Sequence, residues 1–210
     1  MTHSIIYTFM DEFIQTHDHG IFLLPMPTGV GKTYNAVDLM TDLVIGYAEN
    51  SGSEKPKFLF TTNLKKNLNQ EACKEKFQKK GHPELYEKEV VVLKNALENI
   101  CTEFPKHKDE CPKTLKMTES YQALEKILQN YSQLPPQIDP TVRNEYDSHI
   151  LRMELQFRNE IKKYLKDKIN GKKVWDILKN PGEYPDYSWV FNLYPSARIF
   201  SSSILFMSVD

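Results

Sequence analysis

The chain has 210 residues, of which 27 are Lys or Arg and 28 are Asp or Glu, so its formal net charge is −1. With 40% hydrophobic and 26% charged residues, its composition is that of a globular protein and excludes a disordered or fibrous chain. The near-zero net charge provides no global attraction for nucleic acid, so any such binding has to come from local basic patches. The length fits one domain, or one domain that carries a sizeable insertion.

Membrane insertion and secretion are not expected. The longest apolar runs, at residues 21–26 and 204–207, are far shorter than the roughly 20 residues of a membrane-spanning helix. The first residues form neither the basic nor the apolar segment of a signal peptide. The cysteines Cys73, Cys101 and Cys111 are odd in number and widely spaced, which argues against a disulfide framework. We therefore expect a cytoplasmic protein with reduced thiols.

The first 100 residues predict helices that alternate with strands. In chain order the predicted elements are a helix at 4–17, a buried strand at 21–24, a helix from 32 to about 50, a buried strand at 57–62, a polar helix at 64–80 closed by Gly81, and a strand at 90–93. The helices show apolar residues at spacings of three and four, and the strands are short continuous apolar runs. This alternation indicates βαβ units and a parallel sheet flanked by helices.

The alternation lapses between about residues 100 and 194, where helical patterns predominate. Helices are predicted at 121–131, at 146–164 and, shorter, at 172–179. Asp139 and Pro140 suit a helix start, with the carboxylate as N-cap and proline at the first helical position. An apolar strand with the character of a central strand returns at 204–207. We predict an α/β protein with a core of residues 1–100 and 195–210 and a helical insertion at 101–194.

The stretch that bears on chemistry is PMPTGVGKT, residues 25–33, between a predicted strand and a predicted helix, where a phosphate-binding loop belongs. Gly29 and Gly31 allow the backbone to turn so that its N–H groups point at phosphate oxygens. Lys32 would bring positive charge to the β- and γ-phosphates, and the Thr33 hydroxyl would ligate Mg²⁺. The start of the following helix adds a favourable dipole.

The predicted nucleotide-binding residues are those of the loop: Pro27, Thr28, Gly29, Val30, Gly31, Lys32 and Thr33. Lys32 and Thr33 are the predicted catalytic pair, and Thr33 is the predicted Mg²⁺ ligand through the bound nucleotide. The stretch departs from G-x-x-x-x-G-K-[ST] at its first glycine, where Met26 stands. A chance GKT is the alternative, but chance would not usually add a strand before the loop and a helix after it.

The string PTGVGKT resembles motif I of superfamily 2 helicases and translocases, including the DEAD/DEAH type and type III restriction subunits. Similar strings occur in Clp-type AAA+ ATPases and signal-recognition-type GTPases. The following stretch FLFTTNL, residues 58–64, resembles helicase motif Ia, and Leu68 and Gln70 are similar to its Leu and Gln, with a spacing one residue too long. The resemblance implies a RecA-like P-loop core that binds ATP and Mg²⁺.

The resemblance also implies that Thr61, Thr62 and Lys65 lie near a nucleic-acid backbone. The alternative is that the two threonines merely end a strand and that Lys65 belongs to a solvated helix face. The strand at 204–207 is similar to the one that leads to motif Ib, in preference to a Walker B strand with Asp210 as its acid. We therefore expect a first motor domain cut before motif II, without the second RecA-like domain.

As a complete motor the protein would act on nucleic acid, with DNA favoured over RNA, and this chain alone would hydrolyse ATP poorly. One alternative is an AAA+ or GTPase-like nucleotide switch that acts on proteins. The other is a P-loop module that binds nucleotide or a partner without hydrolysis and uses the helical insertion as its interaction surface.

Two weaker patterns lie within the insertion. Cys101, His107 and Cys111 offer three metal ligands, but no CxxC pair accompanies them, and solvated loop residues are favoured. The lysine-rich run at 162–173, near Tyr164 and Trp175, suits a phosphate backbone. A solvated helix face is the favoured alternative for that run.

Two further patterns involve single residues or aromatic groups. Gln15 lies 17 residues before Lys32, a position similar to that of the adenine-reading glutamine of DEAD-box helicases, although a lone glutamine on an amphipathic helix is usually a surface residue. Tyr184, Tyr187 and Trp189 form either a stacking platform or the packing of a proline-rich loop. The sequence leaves both alternatives open.

Overall fold

The computed structural model describes residues 4–17, 23–25, 27, 29–50, 54–63, 68–168 and 174–208. The chain divides into two compact units. The first unit comprises Met1–Leu93 and Ser202–Asp210, and the second comprises Lys94–Ser201. The second unit is thus inserted into the sequence of the first.

The described part of the first unit contains helices and a small parallel sheet. The helices are α1 (Ile5–Thr16), α2 (Lys32–Glu49), α3 (Gln70–Lys79) and α4 (Pro83–Glu89), and the strands are β1 (Phe58–Thr62), β2 (Val90–Leu93) and β3 (Ile204–Ser208). The strand order is β1-β3-β2, and both strand pairs are parallel. The predicted strands at 57–62, 90–93 and 204–207 are confirmed, and the last of them is central.

One core holds the first unit together. Val37 and Val44 on α2 are fully buried, as are Phe77 on α3 and both Ile204 and Phe206 on the central strand. The predicted helix at 4–17 is confirmed as α1, which is capped by Ser4, whose hydroxyl oxygen accepts a hydrogen bond from the Tyr7 amide at 3.2 Å. The predicted helix that follows the loop is confirmed as α2. The core therefore fixes α2 against the sheet.

The predicted strand at 21–24 is wrong at its described positions. Leu23 and Leu24 are not in a strand, and Leu23 is 78% exposed, whereas residues 21 and 22 lie outside the described residues. Leu24 instead lines an apolar cavity of about 270 Å³ with side chains of α1, α2 and β1. This part of the apolar run contributes packing without joining the sheet.

Two other elements of the first unit differ from prediction. Strand β1 was expected to be buried, but it lies at an edge of the described sheet and Leu59 is 59% exposed. The helix expected at 64–80 is α3 from Gln70 in its described part, and Gly81, with φ of +85°, follows its end as predicted. Helix α4 is an element that the sequence did not predict, and its Leu85 packs into the core.

The second unit is helical in its described part. Its helices are α5 (Ala96–His107), α6 (Lys113–Lys116), α7 (Glu119–Ser132), α8 (Pro140–Lys168), α9 (Val174–Lys179) and α10 (Ser188–Leu193), with 3-10 turns at Lys108–Glu110, Pro181–Glu183, Pro185–Tyr187 and Pro195–Phe200. The predicted long helix is confirmed, and Asp139 accepts a hydrogen bond from the Thr141 amide at 2.7 Å. Phe104, Tyr121 and Phe157 form an aromatic cluster in the core, with ring centroids 5.2–5.9 Å apart.

The protein is mostly helical with a small three-stranded parallel sheet. The α/β class is confirmed in this coarse form, and a RecA-like arrangement stays a prediction. In the part of the chain that the structure describes, no helix has both the length and the apolar character needed to cross a membrane.

The second unit buries one carboxylate on its longest helix. Glu154 is 3% exposed, and burial raises its pKa, an effect that the positive charge of Arg158 opposes only in part. Arg158 Nε lies 3.4 Å from Glu154 Oε1. Because the folded state raises this pKa, folding favours the protonated form. The resulting stability is fully present below the ordinary glutamate pKa and is lost as the pH rises through the raised value.

Replacement Glu154→Gln should therefore stabilise the protein increasingly as the pH rises, because glutamine stays neutral. We expect the melting temperature of the variant, relative to the native chain, to increase between about pH 4 and about pH 8. Thermal melts followed by circular dichroism measure this difference. The control is Glu160→Gln, which removes the same charge from an exposed position of α8. The same pH trend in both variants would contradict the assignment to Glu154.

Candidate nucleotide-binding site

The described backbone of the predicted phosphate loop turns at its two glycines. Gly29 and Gly31 have φ values of +88° and +82°, in the left-handed region that side-chain-bearing residues rarely adopt. A Cβ atom at Gly31 would also lie 3.4 Å from the Asn35 side-chain nitrogen. Any other residue at either position would therefore strain the loop. Thr28 and Met26 lie outside the described residues.

The loop leads directly into the first turn of α2. Gly31 is the N-cap, and Lys32 and Thr33 are the first two residues of an 18-residue helix. The first amide groups of a helix have no partner within it and carry the positive end of the dipole. The first turn of α2 contains no acidic side chain, so no carboxylate of that turn offsets this potential. The start of α2 is thus electrostatically suited to an anion.

Lys32 folds back over the loop that precedes it. Its ammonium group donates a hydrogen bond to the Pro27 carbonyl oxygen at 2.9 Å. Lys32 is half-buried, whereas Pro27, Val30 and Thr33 are exposed. The structure therefore gathers the lysine and both ends of the loop at one solvent-accessible place.

Asn35 supports the loop from within the first turn of α2, which sequence reasoning missed. Its side-chain nitrogen donates to the Gly31 carbonyl at 2.8 Å, and its side-chain oxygen accepts a hydrogen bond from the Ser4 hydroxyl. Asn35 is buried and Ser4 is exposed, so these bonds are partly sheltered from water. The N-cap of α1 is thereby linked to the end of the loop. Asparagine in a first helical turn, where its amide competes for backbone groups, is the signal that could have indicated this role.

The polar face of α2 that carries Asp38 and Asp42 is held by ion pairs. Lys76 Nζ lies 2.8 Å from Asp38 Oδ1, and Lys80 Nζ lies 3.0 Å from Asp38 and 2.5 Å from Asp42. The Tyr7 hydroxyl donates to Asp42 at 2.8 Å. Burial alone would raise the pKa of Asp38, but hydrogen bonds from the two lysines outweigh it and lower that pKa. The network joins α1, α2 and α3.

Tyr34 extends this network towards the loop. It follows Thr33 directly and is 63% exposed, and the Lys76 ammonium lies 3.4 Å from the centroid of its ring. Lys76 itself is only 5% exposed. A cation in such a position is stabilised by the electron-rich face of the ring. The ring thus covers a lysine that would otherwise be reached by water.

The predicted nucleic-acid residues are described only in part. Thr61 and Thr62 lie at the carboxyl end of β1, opposite Met207 and Ser208 of β3. Thr61 is exposed and Thr62 is half-buried. Lys65 lies outside the described residues, so its place near a nucleic-acid backbone stays a prediction.

The carboxyl ends of the strands are where an acid for ATP hydrolysis, the Walker B acid, would be expected. Asn63 follows β1 and Lys94 follows β2, so neither strand leads directly to a carboxylate. Asp210, the weighed candidate for the Walker B acid, lies outside the described residues. Gln15 is exposed on α1, with its side-chain nitrogen 3.5 Å from Asp11 Oδ1, as the surface alternative requires.

The candidate metal ligands of the insertion do not form a metal site. Among the residues that the structure describes, no group of three or more His, Cys, Asp or Glu side chains suits a metal ion. The preferred interpretation of solvated loop residues is also wrong for the cysteines: Cys101 is half-buried in α5, and Cys111 is buried in the core. His107 Nδ1 lies 2.7 Å from Glu110 Oε1. Apolar packing accounts for both thiols.

The aromatic residues near the proline-rich turns act mainly in packing. Trp189 is buried in the core, where its ring meets that of Tyr164 at a centroid distance of 6.3 Å. Tyr184 and Tyr187 are half-buried and pack against the same core. Of the two alternatives for these three residues, the structure therefore favours packing.

No model of a protein family matches this chain, and neither does any curated protein. The functional argument rests on the residues and on their geometry.

The three cysteines should be unreactive in the folded protein. Burial raises the pKa of Cys73 and of Cys101 to about 11 and that of Cys111 to about 12, and the thiolate is the reactive form. We expect slow reaction with Ellman's reagent at about pH 8 and rapid release of all thiols in guanidinium chloride. A Cys101→Ser variant assigns any residual reactivity to the half-buried thiol. Prompt reaction of the folded protein at two sites would contradict this expectation.

Proposed function

We propose that the loop at residues 27–33 binds the phosphates of ATP together with Mg²⁺, and that the chain is the ATP-binding part of a superfamily 2 type motor acting on nucleic acid. The observation that carries the proposal is the loop itself. Two glycines with positive φ lead into the start of a long helix, and Lys32 reaches back across them. Loop amides, helix start and lysine converge as a phosphate group requires.

Each residue of the loop has a distinct role in this proposal. Lys32 transfers its ammonium group from the Pro27 carbonyl to phosphate oxygens, which are stronger acceptors because they are charged. Gly29 and Gly31 supply backbone N–H groups, and neither residue has a side chain of its own to obstruct them. The exposed Thr33 hydroxyl is available as a ligand for Mg²⁺, which when bound offsets the charge on the β- and γ-phosphates.

Two further observations bear on the steps after nucleotide binding. The exposed position of Thr61 at the end of β1 supports a nucleic-acid contact there, in line with the resemblance of this strand to motif Ia. The absence of a carboxylate directly after β1 or β2 in the described chain favours a second candidate, a nucleotide-binding module that does not hydrolyse. The two candidates share the loop and differ in turnover.

Replacement Lys32→Ala should weaken Mg-ATP binding by about 10- to 100-fold, because one charge-assisted hydrogen bond to phosphate is lost. Calorimetric titration with Mg-ATP and Mg-GTP measures the affinities. The control is Lys79→Ala, which removes an equal charge from an exposed lysine that pairs with Glu75 at 3.3 Å. Equal losses in both variants, or none in Lys32→Ala, would refute phosphate binding at the loop.

Phosphate release in the same samples separates the two candidates. ATP-selective turnover that single-stranded DNA stimulates and Lys32→Ala abolishes supports the motor. Because the motor is expected to hydrolyse ATP only slowly as this chain alone, binding supports the non-hydrolysing module only where turnover is undetectable both with and without the DNA, and preference for GTP supports a nucleotide switch.

Replacement Asn35→Ala should weaken nucleotide binding by about 5-fold, because the Gly31 carbonyl loses a sheltered hydrogen bond worth about 1 kcal/mol. The matched control lies at the other end of the same helix. There the Asn50 side-chain nitrogen donates to the Gly46 carbonyl at 3.3 Å, the same bond four residues back. Asn50→Ala should leave the nucleotide affinity unchanged. Equal effects of both replacements would mean that Asn35 has no particular role at the loop.

A further inference from the structure

Two large aromatic rings lie together at the surface of the second unit. Trp175 of α9 and Phe200 at the end of the Pro195–Phe200 turn have ring centroids 4.1 Å apart, and each residue is 43% exposed. We name this pair the aromatic platform. Lys179, one turn further along α9, places its ammonium group 5.6 Å from the centroid of the Trp175 ring. The platform thus combines two partly exposed rings with a cation.

The chain around the platform is strongly basic. Residues 162–179 contain seven lysines and two aspartates, a net charge of +5 in a chain whose total is −1. Of these lysines, four are described at the end of α8, and all four are exposed: Lys162, Lys163, Lys166 and Lys168. The lysine-rich run is therefore locally positive although the net charge of the whole chain is close to zero.

Packing brings the helix that carries Trp175 against α8, whose last turns carry the four described lysines. Helix α9 packs against α8 and against the Pro195–Phe200 turn. Only five residues, 169–173, connect Lys168 to Val174. Residues 162–179 therefore supply both the Trp175 ring of the platform and the seven lysines of the basic run.

We propose that single-stranded nucleic acid binds to the second unit, with a base stacked on the aromatic platform and its phosphates held by Lys179 and the lysines at the end of α8. A single strand offers flat bases at regular intervals along a chain of negative charges, and stacking tolerates any sequence because every base has a π-face. An acidic peptide would match the charge but need not offer rings. A membrane would require a broader apolar patch than two rings.

The proposal deepens the proposed function, because nucleic acid is the partner expected of the motor. It rests on side chains other than those of the phosphate loop. The two can therefore fail separately: nucleotide binding depends on Lys32, and strand binding depends on Trp175 and Phe200.

The experiment uses the whole chain without nucleotide and a fluorescein-labelled oligo(dT), with anisotropy as the readout. We expect Trp175→Leu to weaken binding by about 5- to 100-fold, in line with the loss of one stacked base, and the native affinity to fall as salt rises. Phe200→Leu should also weaken binding. Its matched control is Phe9→Leu, since Phe9 is 44% exposed on α1 of the first unit and should have no effect.

Tryptophan fluorescence gives a second readout in the unaltered chain. Of its two tryptophans, Trp189 is buried and Trp175 is half-exposed, so stacking should quench mainly the Trp175 emission. A pair of lysine variants tests the contribution of charge. Lys179→Gln should weaken binding, whereas Lys126→Gln, which alters an exposed lysine of α7, should leave it unchanged.

Several outcomes would overturn the proposal. These are no binding of the oligonucleotide, equal affinities for native chain, Trp175→Leu and Phe200→Leu, or binding that requires vesicles of anionic phospholipid instead of the strand. The loop is judged separately, because Trp175→Leu should keep its affinity for Mg-ATP and Lys32→Ala its affinity for the strand. Strand binding without nucleotide binding would refute the proposed function and leave the platform standing.

Discussion

The first unit depends on helix α2 being fixed on two faces at once. Its apolar face, with Val37 and Val44 fully buried, packs into the core beside the central strand. Each such side chain contributes about 1.5–3 kcal/mol by leaving water. Its polar face carries Asp38 and Asp42. Asp38 pairs with Lys76 of α3, and Asp42 pairs with Lys80, the residue that caps α3. Because both faces are engaged, the start of the helix, where Gly31 and Lys32 lie, has a defined position.

The ionic face contributes specificity more than net stability. Burying Lys76 costs hydration, which the bond to Asp38 and the Tyr34 ring offset. Removing one partner of such a pair costs about 3–5 kcal/mol, because the remaining charge stays buried. The network therefore penalises any shift of α3 along α2. The hydrogen bond between Tyr7 and Asp42 ties α1 to the same network, so the network fixes the positions of α1, α2 and α3 relative to one another.

The sequence was informative wherever the signal is local. Helices α1, α2, α7 and α8 follow from apolar spacing, and Asp139 as a cap follows from its place before Pro140. The turns at Gly29 and Gly31 belong to the same class of signal. The apolar run at 21–24 predicts a strand that is not found at its described positions. Such a run indicates that side chains are buried but not which element they pack against. Leu24 meets a cavity lined by helices and β1 instead of a strand ladder.

Non-local contacts account for the other differences. An apolar run does not state which strand lies at the edge of a sheet, so the exposure of Leu59 was not foreseeable. The buried Asn35 and its bond to Ser4 depend on where α1 packs, 31 residues earlier in the chain. The polar neighbours of Cys111 in the sequence indicate a loop residue, whereas its side chain lies in the core. In each case the missing information is the tertiary partner.

The second unit is tied to the sheet through two neighbouring strands. The chain leaves the first unit at the carboxyl end of β2 and returns to it at the amino end of β3, and these two strands are hydrogen-bonded neighbours. Because the pair is parallel, the two connections attach at opposite ends of its ladder. Strand β3 also pairs with β1, which ends in Thr61 and Thr62. The chain therefore returns from the second unit into the central strand of the described sheet, so the insertion interrupts the sequence of the first unit without interrupting its ladder.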